Sequence, residues 1–372
     1  MPEIRWTEDG AVRSARWRSE SGAAPPARVV IADDRVSADA AYHLACQGTA
    51  MLWRGDFQGA RQLLGAMARR IERRSRRPAP TLAQAFHLHR QARAQQAGVL
   101  GRLLVPLDQD HTVPLRRAPD VRLACAQVYG PPGPEPSVVS LRELLGIVGA
   151  HQWRERGVEI PALGARIHPH YGVFSPVRGE YVDLVAEAPL PARSRAFDIG
   201  TGTGVLAAVL ARRGVERLVA TDQDPRAVAC ARDNLDRLGL AGRVEVVGAD
   251  LFPPGRAPLI VCNPPWLPAK PAAPLDHAVY DPGGRMLRGF LTGLAGHLEP
   301  GGEGWLVLSD LAEHLTLRTR GELLDAFADA GLRVEDRLET RPRHPRARDE
   351  SDPLHAARAA EVTSLWRLRP DR

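Results

Sequence analysis

The stretch Asp198-Ile-Gly-Thr-Gly-Thr-Gly204 constrains the fold of this chain more than any other. It grows out of a short apolar run, 196–199, and leads into a helical one from Val205, so a strand must turn sharply into a helix. Gly200, Gly202 and Gly204 let the backbone turn tightly and approach a ligand where a Cβ would collide, with the helix amino end facing it. A bare strand-to-helix turn without a ligand is the competing reading. The segments around it decide between the two.

After Pro191 short β-branched runs alternate with helical stretches, the rhythm of βαβ units on a parallel sheet. Strands are predicted at 196–199, 218–221, 244–247, 259–262 and 305–308, with helices starting near Val205, Pro225, Arg285 and Gly321. Two more strands, near 332–338 and 362–368, are joined by a polar loop without a full crossover helix, which predicts an antiparallel edge pair. The expected class is α/β: a Rossmann-like seven-stranded sheet with an antiparallel edge strand.

A chain of 372 residues favours two domains. Residues 1–35 lack sustained periodicity and are expected to be a poorly ordered leader. From Ala38, apolar residues at Leu44, Met51 and Leu52, then Phe57, Leu63, Leu64, Met67 and Ile71, recur near a spacing of 3.6, with Gly55 as a break. Further helices are expected over 82–100 and 138–153. Residues 36–165 therefore read as a mostly helical domain, and 166–372 as the α/β domain.

No run of about 18 apolar residues occurs, so no membrane-spanning helix and no membrane partner are expected. Glu3, Glu8, Asp9 and Glu20 disfavour a secretory or transit peptide, and the expected location is the cytoplasm. Cys46, Cys125, Cys230 and Cys262 are scattered and read as reduced, mostly buried thiols; no metal is expected. Residues 1–190 hold 25 Arg against 19 acids, while 191–372 balance. The excess peaks at Arg69, Arg70, Arg73, Arg74, Arg76 and Arg77, which suits an acidic partner such as RNA or a solvated helix face.

Two carboxylates favour a ligand at the glycine turn. Asp222 ends the second α/β strand, where it can accept from both hydroxyls of a ribose, and Asp250 ends the third, where it can accept from an adenine amine. With Asp198 they set three acids at the carboxyl ends of successive strands, a setting for a cationic nucleoside. A nicotinamide dinucleotide fits less well, because the glycine after Gly202 comes one position too early. The fourth strand ends in Asn263-Pro264-Pro265-Trp266. The paired prolines send the chain out extended, the Asn263 oxygen and Pro264 carbonyl offer two acceptors for a planar NH2, and Trp266 can stack on its face. Weaker candidates are His168 and His170, Tyr171 and Phe174 as caps of the pocket, and His277 and Arg285 near the loop after Trp266.

On these motifs, residues 170–370 resemble the class I S-adenosylmethionine-dependent methyltransferases, and among them the HemK-like group that methylates glutamine side-chain amides in release factors. The Tyr280-Asp-Pro-Gly-Gly-Arg-Met-Leu segment resembles the same group. Val173 to Tyr181 matches more loosely, with Gly179 and Glu180 where an acidic-threonine pair is usual. The resemblance implies S-adenosylmethionine as cofactor, held by Asp198, Gly200, Thr201, Gly202, Gly204, Asp222, Gln223, Asp250, Leu251 and Asn263. It implies Asn263, Pro264 and Trp266 as the catalytic set, and an N-terminal domain that recognises substrate. The expected acceptor is a protein glutamine, in a release-factor-like or ribosomal partner. The exocyclic amine of an RNA or DNA base is the alternative, since the same signature serves base methylation. A non-catalytic RNA- or ribosome-binding protein on this scaffold is the third reading.

Overall fold

The computed structural model describes residues 2–73, 79–177, 179–270, 279–343, 349–350 and 352–371. It divides into two units, residues 1–79 with 87–152, and 80–86 with 153–372. The second therefore takes in residues 153–165, which the sequence reading had assigned to the first domain.

In the first unit, β1 (Glu3–Glu8) and β2 (Ala11–Arg18) form a hairpin. They are followed by β3 (Arg28–Ala32), α1 (Ala38–Cys46), β4 (Thr49–Trp53) and α2 (Phe57–Glu72). Then come α3 (Leu82–Leu100, in this unit from residue 87), β5 (Leu103–Leu107), α4 (Arg122–Tyr129), β6 (Ser137–Ser140) and α5 (Leu141–Arg156, in this unit to residue 152). The strands make one mixed sheet in the order β1-β2-β6-β5-β4-β3.

Two sequence expectations are corrected here. Residues 1–35 are not a poorly ordered leader, because Ile4 and Trp6 alternate with exposed Glu3, Arg5 and Thr7 around an Asp9-Gly10 turn with positive φ at both residues. Period-two burial and a two-residue turn make a hairpin, not a helix. Residues 36–165 are likewise not mostly helical but α/β. Thr49–Trp53 is buried on both faces, with Ala50 and Leu52 against Trp6 and Trp17, and Met51 and Trp53 against α1 and α2. Such a strand has no alternation, and Leu44, Met51 and Leu52 imitate helical spacing.

The second unit begins with the hairpin β7 (Val158–Ile160) and β8 (Ala165–Ile167), then α6 (Glu180–Glu187). The α/β run follows: β9 (Arg195–Ile199), α7 (Val205–Arg212), β10 (Arg217–Asp222), α8 (Pro225–Arg237), β11 (Val244–Gly248) and β12 (Ala257–Cys262). It ends with α9 (Arg285–His297), β13 (Leu298–Ser309), α10 (Leu311–His314), α11 (Arg320–Asp329), β14 (Leu332–Thr340), α12 (His355–Ala360) and β15 (Thr363–Pro370). The seven strands β9–β15 lie in the order β11-β10-β9-β12-β13-β15-β14. The first five are parallel, and antiparallel pairing is confined to the end where β15 runs against β13 and β14.

Alternate residues of the central strands enter two cores. Leu259, Val261, Trp305 and Val307 pack with α6, α7 and α8, while Ile260, Cys262, Leu306 and Leu308 pack with α9 and α11. The reversed end is fastened by Glu303, fully buried on β13. It accepts from Arg367 Nε at 2.9 Å, Arg367 Nη2 at 2.8 Å and Arg369 Nη2 at 2.7 Å on β15. Strand order reverses direction between β9 and β12, and open parallel sheets bind ligands at the carboxyl ends of such strands.

Candidate active site

The turn after β9 is built from the side chain that starts it. Asp198 is 1% exposed, and its Oδ2 accepts from the Thr201 hydroxyl at 2.6 Å and the Ala207 amide at 3.0 Å. One carboxylate thus clamps the glycine turn and the first turn of α7 together. Burial pushes its pKa up to about 6. Asp198 and Thr201 shape the turn, bonded to each other and to backbone.

The three glycines differ in what they do. All have positive φ, +69° at Gly200, +56° at Gly202 and +80° at Gly204. A Cβ at Gly204 would stand 3.3 Å from the Ala231 backbone, so this glycine lets α8 approach. A Cβ at Gly202 would meet no atom within 4 Å, so the space before it is open to a ligand. At Gly200 the neighbour is the flexible end of Met286, the second residue of α9.

Asp222 closes β10 beside this turn. Its Oδ2 accepts from the Gly202 amide at 3.0 Å and its Oδ1 from the Asp224 amide at 2.9 Å, so both oxygens are fixed and each keeps acceptor capacity. Burial raises its pKa as well. Gln223, next along, is exposed. Past β11, the Leu251 carbonyl accepts from the Thr221 hydroxyl at 2.6 Å, and Leu251 itself has φ +73° and leans on Gly289 of α9. Asp250 is exposed and pairs with Arg285 at 2.6 Å. Arg285, a suggested substrate contact, is held there by that carboxylate.

After β12 the chain leaves the sheet at Asn263-Pro264-Pro265-Trp266, with Pro264 buried and the other three half-buried. The indole Nε1 of Trp266 donates to Asn263 Oδ1 at 2.9 Å. The loop that follows is clamped at its stems. The Leu267 amide donates to the Val279 carbonyl at 3.1 Å, and the Asp281 amide donates to the Leu267 carbonyl at 2.8 Å.

Asp281 is the residue that sequence reasoning missed. It is 5% exposed and accepts from the amides of Met286 at 3.0 Å and Leu287 at 3.1 Å, holding the amino end of α9. An Asp ahead of Pro-Gly-Gly before an apolar helix was the available signal. Its charge is also felt at the crevice. The Cys262 thiol is raised well above its usual pKa by burial first, then by Asp198, Asp281 and Asp222. These acids and the open space at Gly202 fit a ligand that carries positive charge and hydroxyl donors.

The other candidates fall elsewhere. His168 Nδ1 lies 2.6 Å from the Arg154 carbonyl, and its amide donates to Asn234 Oδ1 at 2.7 Å. His170 Nε2 lies 3.0 Å from Asp233 Oδ2, so both rings fasten their segment to α8 or α5. Tyr171 lies under the Arg226 guanidinium, and Phe174 packs against the core. His277 and Arg74, Arg76 and Arg77 lie outside the described residues. Among the described residues no helix is long and apolar enough to cross a membrane, and no group of three His, Cys, Asp or Glu is placed to hold a metal.

The domain around this site has relatives among known proteins. Residues 164–330 match the family model of the methyltransferase small domain. The chain is 37% identical over 139 residues to a release factor glutamine methyltransferase of Cereibacter sphaeroides, covering 34% of this chain and 50% of that one. It is 37% identical over 145 residues to a ribosomal protein L11 methyltransferase of Pelotomaculum thermopropionicum, covering 38% of this chain and 39% of that one. The chain thus spans about half or less of these relatives. Among solved structures, an S-adenosylmethionine-dependent methyltransferase from Thiobacillus denitrificans aligns with TM-score 0.37 and 18% identity over 53% of this chain and 92% of that one. On the family match and the curated relatives, residues 164–330 of the domain built on β9–β15 form a methyltransferase small domain, similar to S-adenosylmethionine-dependent methyltransferases that include release factor glutamine and ribosomal protein L11 methyltransferases.

Proposed function

We propose that the whole chain is an N-methyltransferase acting on the side-chain amide of a protein glutamine. The observation that carries this reading is the Asn263-Pro264-Pro265-Trp266 loop, which leaves β12 beside the acid-lined crevice. Asp222, fixed by the Gly202 amide, would hold the ribose end of S-adenosylmethionine, with Asp250, Gln223 and Leu251 at the base. When bound, this cofactor supplies an electrophilic methyl group on a positively charged sulfur. The negative field of Asp198, Asp222 and Asp281 favours that charge, and the chain's remaining work is to place a nitrogen.

Asn263 Oδ1 and the Pro264 carbonyl would accept the two hydrogens of the acceptor NH2, leaving the nitrogen face toward the crevice. Trp266 would cover the amide plane. The relatives named release factor glutamine methyltransferase support glutamine, and those named ribosomal protein L11 methyltransferase support a ribosomal partner. The arginine excess in residues 1–190 favours a second reading, an exocyclic amine of a nucleic-acid base.

The deciding experiment incubates the full chain and radiolabelled S-adenosylmethionine with a lysate lacking the native protein, then digests parallel samples with protease and nuclease. Label released as methylglutamine supports the first reading. Label that resists protease and becomes nucleoside-sized with nuclease replaces it with the second, and no label in any macromolecule removes both.

A further inference from the structure

The first unit contains a cavity of about 230 Å³ at the end of β2, lined in part by Pro2, Arg16, Arg18, Glu20, Gly22 and Tyr129. Its floor is an arginine that the fold has buried. Arg18 is only 8% exposed, its Nε donates to Ser137 Oγ at 3.1 Å, and its guanidinium carbon lies 4.6 Å from the centre of the Tyr129 ring. Stacking on one face and bonding through Nε fix the plane of the group. Its Nη1 and Nη2 edge has no hydrogen-bond acceptor, and no carboxylate lies within ion-pair distance, among the described residues.

The neighbours explain why this is unusual. Arg16 stands two residues away on the same strand, so both side chains project from one face of β2, and its charge repels Arg18. Burial itself, followed by Arg16, lowers the Arg18 pKa, while Glu20 attracts it only from a distance. The other nearby acid, Glu143, does not line the cavity: its Oε1 accepts from the Tyr129 hydroxyl at 2.8 Å, and both its oxygens accept from the Glu20 amide at 3.1 Å. A buried guanidinium without a countercharge is costly unless something supplies acceptors. Arginine at its usual partners meets two coplanar oxygens end-on.

We propose that this cavity is an oxyanion site, taking a phosphate ester or a carboxylate on the Nη1 and Nη2 edge of Arg18, with Arg16 as the second cation. Arg16 and Arg18 both line the cavity, which gives it a positive wall for an anion. The shared ligand chemistry is a small oxyanion, borne on a phosphate or on a carboxyl group. This site is independent of the crevice at β9–β12 and of the acceptor that the methyltransferase domain serves.

The test titrates the full chain by calorimetry, at constant ionic strength, with inorganic phosphate in one arm and acetate in the other. Saturable binding near the millimolar range is expected in at least one arm, and the arm that responds assigns the ligand class. Arg16→Gln changes a half-exposed side chain, keeps the fold and should weaken binding about tenfold; Arg18→Met should abolish it. Arg13→Gln, at an exposed position of the same strand, should leave it unchanged. Absence of saturable binding in both arms overturns the proposal, and so does equal binding by wild type and Arg16→Gln. The Arg16 variant decides the matter even if Arg18→Met fails to fold.

Discussion

The indole N–H of Trp266 donates to the side-chain oxygen of Asn263, three residues back on the same loop, over 2.9 Å. Because indole nitrogen only donates, the bond turns the Asn263 amide so that Oδ1, not Nδ2, faces the ring, and one lone pair of that oxygen remains for another donor. Trp266→Phe keeps an aromatic face and removes this bond. Turnover should fall about tenfold, the loss of roughly one hydrogen bond's orienting energy, with cofactor affinity unchanged. Asn263→Ala should cost about a hundredfold in kcat. Steady-state kinetics with calorimetry on both variants checks this, and an unaltered kcat in Trp266→Phe would refute the orienting role.

Asp222→Ala removes the acceptor for the Gly202 amide and the proposed ribose contacts together. S-adenosylmethionine binding should weaken by about 1–3 kcal/mol. Calorimetry measures it, and wild-type affinity in the variant would dismiss Asp222 as a ligand.

Asp198 predicts a pH dependence. Its folded pKa of about 6 lies above the ordinary value near 4, so the ligand-free protein loses stability as pH rises from about 4 through 6, where the unfolded chain ionises first. Binding of a cation favours the carboxylate. Affinity should therefore climb with pH through about 6, with proton release, and level off above about 7. In Asp198→Asn that climb should shrink to the part that Asp222 contributes, which calorimetry in buffers of different ionisation enthalpy would reveal.

Glu303→Ala leaves Arg367 and Arg369 without their buried carboxylate at the β13–β15 seam. The expected cost is about 3 kcal/mol, the lower end for a broken buried pair because Arg369 reaches solvent. Urea denaturation followed by circular dichroism gives the number; a loss below about 1 kcal/mol would mean that the cluster contributes little.

The α/β half of the chain was legible because its signals are local. Gly200, Gly202 and Gly204, the acids at strand ends and the Asn263-Pro264-Pro265 exit each force a backbone path within a few residues. The first unit was not, since Thr49–Trp53 is buried on both faces and carries no alternation, and its identity as a strand depends on Arg28–Ala32 and Leu103–Leu107 pairing with it across the chain. The Asp9-Gly10 turn between alternating residues is a local signal of the legible kind. At the site, the sequence could place Asp222 and Asn263. It could not place the Trp266 bond, the Arg285–Asp250 pair or the field of Asp281 at Cys262, which exist only once β12 and α9 are packed.

The paired bonds at Leu267 separate two things that enzymes must often change together. With Val279 and Asp281 tied back to Leu267, the loop's ends are held whatever sequence runs between them, and Asn263 lies on the near side of that knot. The position of Asn263 is thus set by β12 and by this knot, not by the segment beyond it.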